Sequence, residues 1–259
     1  MTLVSALGNH IINTFSALGE MVDLVSKTIA YTVRPPYRFK DIVHQLHFVA
    51  VESAPIVILC VCFAAVVTII EASFHMKMVV QNDALVPGFA ALLILRELGA
   101  VVAALLVTSR VGAGLAAEVG SMQITEQIDA LRMLGINPIR FLVVPRFVAC
   151  VLGGFVLSIL ANLICLYAAM LVSQFMLGYS PGGFLMGMRA FVDFKDLVFA
   201  VIKGTVFGAV IPLFSCYYGF RCQSGAEGVG LATTRSVVAT SVAIIVLDFL
   251  LGWLFSYFY

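Results

Sequence analysis

Arg96 and Glu97 stand side by side within an apolar run, residues 84–107, that is long enough to cross a bilayer. Lys203 and Asp248 lie in two further runs of that kind, residues 197–217 and 237–258, and Glu71 closes another, residues 51–72. A lone charge at such depth is costly, so these side chains either pair with one another or line a polar cavity. Pairing would fix the helices against each other. A cavity would let the charges meet a lipid headgroup, and Arg96 could hold a phosphate with two parallel hydrogen bonds if Glu97 leaves its guanidinium free. At 1.5 Å per residue, Arg96, Glu97 and Asp248 fall near mid-bilayer, with Lys203 and Glu71 nearer the outer side. A headgroup arriving from there is expected to meet Lys203 first.

The composition demands a membrane. Of 259 residues 62% are hydrophobic and 11% charged, with a mean hydropathy of +1.08, whereas a soluble domain carries roughly a quarter of its residues as charges. The net charge of +1 and the absence of a basic run exclude a nucleic-acid partner. Cys60, Cys62, Cys150, Cys165, Cys216 and Cys222 lie in or beside apolar runs without metal-type spacing and read as small buried hydrophobes, so no metal is expected. His44 and His47 lack a third ligand or a nucleophile. No Walker A pattern occurs, and Gly228-x-Gly230 has no strand before it, so no nucleotide site is expected on this chain.

The elements follow from the periodicity. Residues 1–29 place Val4, Leu7, Ile11, Phe15, Leu18, Val22, Val25 and Ile29 on one helical stripe, which predicts an amphipathic interfacial helix packed beside the spans. Residues 31–45, with Arg34, Pro35, Pro36, Arg38 and Lys40, predict a helix-breaking basic connector on the cytoplasmic side. The first span is residues 51–72, a polar loop covers 75–83, and the second span is 84–107. Residues 109–140 predict two short helices broken near Gly120-Ser121, because Leu115, Val119 and Met122 share one face while Ile124, Ile128 and Leu131 share another. Residues 141–177 form one long tilted span in preference to two halves broken at Gly153-Gly154. A Gly/Pro-rich loop, 178–196, leads to the fourth span, in which Gly204-x-x-x-Gly208 permits close helix approach. A second cytoplasmic loop, 218–236, precedes the fifth span, whose aromatic end suits an interfacial belt.

Several blocks carry a resemblance. Leu95-Arg96-Glu97-Leu98-Gly99, Ser109-Arg110-Val111-Gly112, Ala117-Glu118-Val119-Gly120-Ser121-Met122, Thr125-Glu126-Gln127-Ile128-Asp129-Ala130-Leu131 and Gly135-Ile136-Asn137-Pro138 resemble the MlaE-type permeases. These are membrane subunits of bacterial ABC transporters that move lipids with MCE-domain partners. A second block, Gly225-Ala226-x-Gly228-Val229-Gly230-x-Ala232-Thr233-Thr234-Arg235-Ser236, leading to Leu247-Asp248-Phe249, matches as well. The likeness spans residues 43–259. It departs from the family at Ala100, where many relatives have proline, and at Ala64-Ala65 and Glu71 of the first span.

The resemblance implies an all-α integral membrane protein of the bacterial inner membrane: an interfacial helix and connector in 1–45, then a five-span permease domain in 46–259. It implies a homodimer, cytoplasmic ABC ATPase subunits that carry the ATP and Mg, a periplasmic MCE-domain protein and a small STAS-domain regulator. Arg96, Glu97, Lys203 and Asp248, with Glu71, are its expected substrate-binding positions. Arg110, Glu118, Glu126, Gln127, Asp129 and Arg132 would couple to the ATPase. Phospholipid is the first expected cargo, with sterols or fatty acids behind it. An ion- or proton-coupled carrier of a hydrophobic substrate is the alternative, although the internal repeats and broken helices of such carriers are not seen. A membrane enzyme finds no nucleophile and base at readable spacing.

Overall fold

A computed structural model describes residues 3–35, 38–76, 78, 85–223 and 225–258, with side chains from residue 15 onward. Every long element among them is helical: α1 (Leu3–Thr32), α2 (Phe39–His75), α3 (Val86–Ile124), α4 (Gln127–Met133), α5 (Ile139–Leu177), α6 (Pro181–Phe191), α7 (Phe194–Phe220) and α8 (Ala226–Ser256). Five of these, α2, α3, α5, α7 and α8, are long and apolar enough to cross a membrane. The 141–177 segment is one helix, as the sequence predicts. The polar loop at 75–83 lies mostly outside the described residues.

Small residues set the bundle's tightest crossing. A Cβ on Gly154 of α5 would sit 2.6 Å from the Gly204 carbonyl oxygen of α7 and 2.9 Å from the Gly208 Cα. The glycine pair that could have broken the third span therefore serves close approach instead. The core built around this crossing includes Val61, Ala65, Ile94, Ala100, Leu157, Ala161, Phe207 and Ile211. A second cluster at the α4 end joins Leu24, Val119, Ile128, Leu142, Val143 and Cys216. Burial is uneven: half of the apolar window of α3 and of α7 is buried, but only 11% of that of α8.

The structure corrects four boundaries. The connector is not helix-breaking throughout, because α2 begins at Phe39, with Asp41 in its first turn paired to Arg38 at 2.7 Å. The second span does not stop at 107. Helix α3 continues to Ile124 because Leu115, Ala116 and Val119 are fully buried, and a Cβ on Gly219 of α7 would lie only 2.7 Å from that of Val119. The break falls at Thr125-Glu126, not at Gly120-Ser121; Gly120 lies within an unbroken helix against Cys222 and Val229, and Glu126 turns the chain with φ 58°. Finally, much of the two expected loops is helical. Ser180 caps α6 by accepting from the Gly183 N–H at 3.0 Å, and α8 starts at Ala226, eleven residues before the expected fifth span.

Helix α1 packs on the bundle through a narrow face. Leu24 and Thr28 are buried against the bundle, while Phe15, Leu18, Val22 and Ile29 of the apolar stripe remain 51–70% exposed. Polar contacts add to the packing of Leu24. Tyr217 donates to the Ala17 carbonyl at 3.3 Å, Arg221 pairs with Glu20, and Asn137 donates to the Tyr31 hydroxyl at 3.1 Å.

Candidate functional site

The intramembrane charges form one network. The Lys203 ammonium donates to the Arg96 carbonyl at 2.7 Å and to Glu97 Oε1 at 3.2 Å, and lies 2.6 Å from Asp248 Oδ1. The last contact is a close, buried ion pair. Arg96 Nε donates to Asp196 Oδ1 at 2.7 Å. Helix α3 makes a wide, π-type turn at Ile94–Leu98, and turns of this kind are frequent at functional sites. Here it places the Arg96 carbonyl and both charged side chains toward α7 and α8.

Arg96, Lys203 and Asp248 lie ten, nine and eight residues from the α6-end termini of α3, α7 and α8, about 12–15 Å along each helix. They therefore share one level, where the sequence had set Lys203 apart. Access differs sharply. The Lys203 side chain is fully buried, that of Asp248 is 20% exposed, Arg96 32% and Glu97 53%. Lys203 is thus the hub, and Arg96 and Glu97 are the groups an approaching molecule can touch. Glu71 is not part of the network: it faces outward on α2, 3.5 Å from His75.

Sequence reasoning missed three members. Asp196 is fully buried; while Oδ1 takes Arg96, Oδ2 accepts from the Asp193 N–H at 3.0 Å and caps α7. Its signal was the Asp193-x-x-Asp196 spacing before an apolar run, a capping-box pattern. Phe199 and Phe255 stack with centroids 3.9 Å apart. The Lys203 ammonium lies 4.9 Å from the Phe199 ring and the Arg96 guanidinium 5.8 Å from that of Phe255, so each cation has an aromatic face beside it.

The six expected coupling residues separate into two groups. Arg110, partly buried, and Glu118, half exposed, are tied to other helices. Arg110 bonds Glu52 and Ser53, each at 2.8 Å, where α2 has its own wide turn, and Glu118 pairs at 2.8 Å with the buried Arg146 of α5. Glu126, Gln127, Asp129 and Arg132 are exposed at the tip around α4. Their bonds are local: Gln127 donates to Thr125 at 3.0 Å, and Arg132 to Asp129 at 2.8 Å. Beside them Met133 is 88% exposed and Leu134 73%, an apolar point on a polar knob.

A bundle of five apolar helices, centred on a paired charge hub and ending in a charged helical knob, fits a transporter's membrane subunit. The comparisons agree. The family model "Permease MlaE" matches residues 42–254. The intermembrane phospholipid transport system permease protein MlaE of Haemophilus influenzae is 32% identical over 252 residues, 97% of this chain and 96% of that one. A probable ABC transporter permease protein of Rickettsia prowazekii is 32% identical over 98% of both chains, and one of Synechocystis is 33% identical over 83% and 81%. The chain belongs to the MlaE permease family. It is a multi-pass membrane protein and an ABC transporter permease.

Proposed function

We propose that this permease moves phospholipid between the bacterial inner membrane and a periplasmic MCE-domain protein, driven by ATP hydrolysed on separate cytoplasmic subunits. The observation that carries the reading is the half-exposed Glu97 beside the partly exposed Arg96, at membrane depth. A carboxylate there is tolerated only where it faces a polar cavity or a headgroup. The unburied face of α8, which carries Val242, Ile245 and Phe249, adjoins the network through Asp248. A second copy laid on that face encloses the charges in a shared cavity, and the name of the Haemophilus relative supplies the cargo class.

Arg34, Arg38, Lys40, Arg132, Arg140, Arg221 and Arg235 cluster at the α4 end and support a cytoplasmic side for it. The knob there, with Glu126, Gln127, Asp129, Arg132 and the projecting Met133 and Leu134, seats on an ATPase, whose bound ATP and Mg supply the energy. A STAS-domain regulator binds that ATPase. Closure of the ATPases pushes the knob, α3 transmits the movement to the Arg96-Glu97 turn, the cavity narrows, and the lipid changes sides. Arg96 contacts the headgroup, while Lys203 and Asp248 hold Arg96 and Glu97 in position. Glu71 lines the lipid's path on the outer side.

Pull-down of the tagged chain from native membranes, with mass spectrometry of proteins and lipids, tests the reading. An ATPase, an MCE protein and enriched phospholipid are expected. Recovery of the intact dimer alone would favour an ion-coupled carrier in which Lys203, Glu97 and Asp248 handle protons.

A further inference from the structure

A cavity of about 270 Å³ opens on the flank of the α4 end, between the first turns of α2, the start of α5 and the last turns of α3. Its walls carry cationic Arg38 and Arg146, the titratable His44, and the carboxylates Asp41 and Glu118. Most of these charges satisfy each other. Arg38 pairs with Asp41 at 2.7 Å; Arg146 pairs with Glu118 at 2.8 Å and donates to the Leu142 carbonyl at 2.8 Å.

Two polar atoms of the lining residues are left over. Arg146 Nε, on a residue only 4% exposed, and Gln45 Oε1 are both buried without a hydrogen-bond partner among the described residues. One is a donor and the other an acceptor, so the occupant that completes the site accepts at Arg146 and donates at Gln45. The volume is several times the roughly 30 Å³ share of one water molecule. Depth identifies the kind of occupant. Gln45 precedes the apolar run of the first span by six residues, about 9 Å, which places it in the headgroup layer.

We propose that this cavity binds the zwitterionic headgroup of a phosphatidylethanolamine-type membrane lipid, separately from any transported cargo. The phosphate accepts from Arg146 Nε with Arg38 and His44 nearby; the ammonium donates to Gln45 Oε1 between the carboxylates of Asp41 and Glu118. A choline headgroup has no N–H to give Gln45, and a glycerol headgroup presents only neutral hydroxyls to the two carboxylates. The site thus selects a primary ammonium. It makes no use of the Arg96–Lys203 network and stands whether or not the chain transports lipid.

The test is native mass spectrometry of the full chain, exchanged into equal parts phosphatidylethanolamine, phosphatidylcholine and phosphatidylglycerol. The expected result is preferential retention of phosphatidylethanolamine, reduced about tenfold by Gln45→Leu, the loss of one hydrogen bond to a charged group. Gln45→Leu breaks no ion pair, and an unchanged melting temperature would verify its fold. Glu97→Gln is expected to leave this lipid in place. Equal retention of the three lipids, or full retention by Gln45→Leu, would overturn the proposal. So would loss in Glu97→Gln alone, because it assigns the lipid to the intramembrane network. Displacement by soluble O-phosphoethanolamine at millimolar concentration would transfer the same headgroup chemistry to a free solute and overturn the lipid assignment.

Discussion

The two ends of α3 carry similar residues and use them in opposite ways. Near its start, Arg96 and Glu97 reach partners about a hundred positions away in sequence, on α7, and through Lys203 the network extends to Asp248 of α8. Just past its other end, Asp129 and Arg132 bond each other, three positions apart, on an exposed surface, with no other side-chain partner among the described residues. Long-range pairs welded into a bundle fix helices, because breaking one leaves a charge in a poor dielectric. Local pairs in water fix almost nothing and leave the surface free to meet a partner. A single helix thus joins a rigid charge hub to a solvent-facing knob.

The comparison breaks most visibly at the hub. Lys203→Met leaves Glu97 and Asp248 without their shared cation and is expected to destabilise the chain by about 3–5 kcal/mol. Thermal unfolding in detergent, followed by the fluorescence of the single tryptophan, Trp253, reads this directly. The smaller Lys203→Ala is expected in addition to weaken lipid capture, since it releases the groups that position Glu97. A melting temperature within error of wild type for both variants would mean that the hub is not what holds α3, α7 and α8 together.

Asp196→Asn is the next largest perturbation. It removes the carboxylate that takes Arg96 Nε and caps α7, and about 1.5–3 kcal/mol should be lost with the charge-assisted bond. Arg96 then becomes the freer cation. If it is the headgroup contact, phospholipid retention should rise or hold while stability falls. A parallel fall in both would make Asp196 a structural cap alone.

How much of this was legible in the sequence depended on contrast. Four charges among apolar neighbours are conspicuous, so Arg96, Glu97, Lys203 and Asp248 could be named, and their meeting follows because buried charges must find partners. Asp196 was hidden because it sits in a polar stretch where a carboxylate needs no explanation. Phe255 was hidden because an aromatic at the end of a span reads as an interfacial anchor, whereas here it stacks inward on Phe199. The break in the 109–140 segment was misplaced for a related reason. Glycine permits a turn but also close packing, and Gly120 does the second while Glu126, a residue without special freedom, makes the turn. The helical segment to Ile124 follows from tertiary burial, which periodicity alone does not weigh, whereas the early turns of α8 are mostly exposed and owe little to it.

Between hub and knob lies the Glu118–Arg146 pair, with Arg146 buried and Glu118 half exposed. Glu118→Gln keeps an acceptor but removes the charge opposite a buried guanidinium. A loss of about 1 kcal/mol is expected, smaller than at the hub and larger than at the knob. A double-mutant cycle with Arg146→Lys would measure the coupling across α3 and α5. Zero coupling would place this pair with the local surface bonds of the knob.

The knob offers the smallest effect and a reversal of sign. Glu126 holds φ 58° without being glycine, a conformation that costs an ordinary side chain about 1 kcal/mol. Glu126→Asn relieves part of that cost and should raise stability by about 0.5 kcal/mol. Glu126→Lys keeps the strain and reverses the charge, so folding should be unchanged while stimulation by a partner ATPase falls. Together the two substitutions separate backbone geometry from surface charge at one position. Coupling that survives Glu126→Asn but not Glu126→Lys would make charge the currency of the docking surface. Loss of coupling in both would make the carboxylate itself a contact, and loss in neither would move the contact to Met133 and Leu134, the exposed apolar point of the same knob.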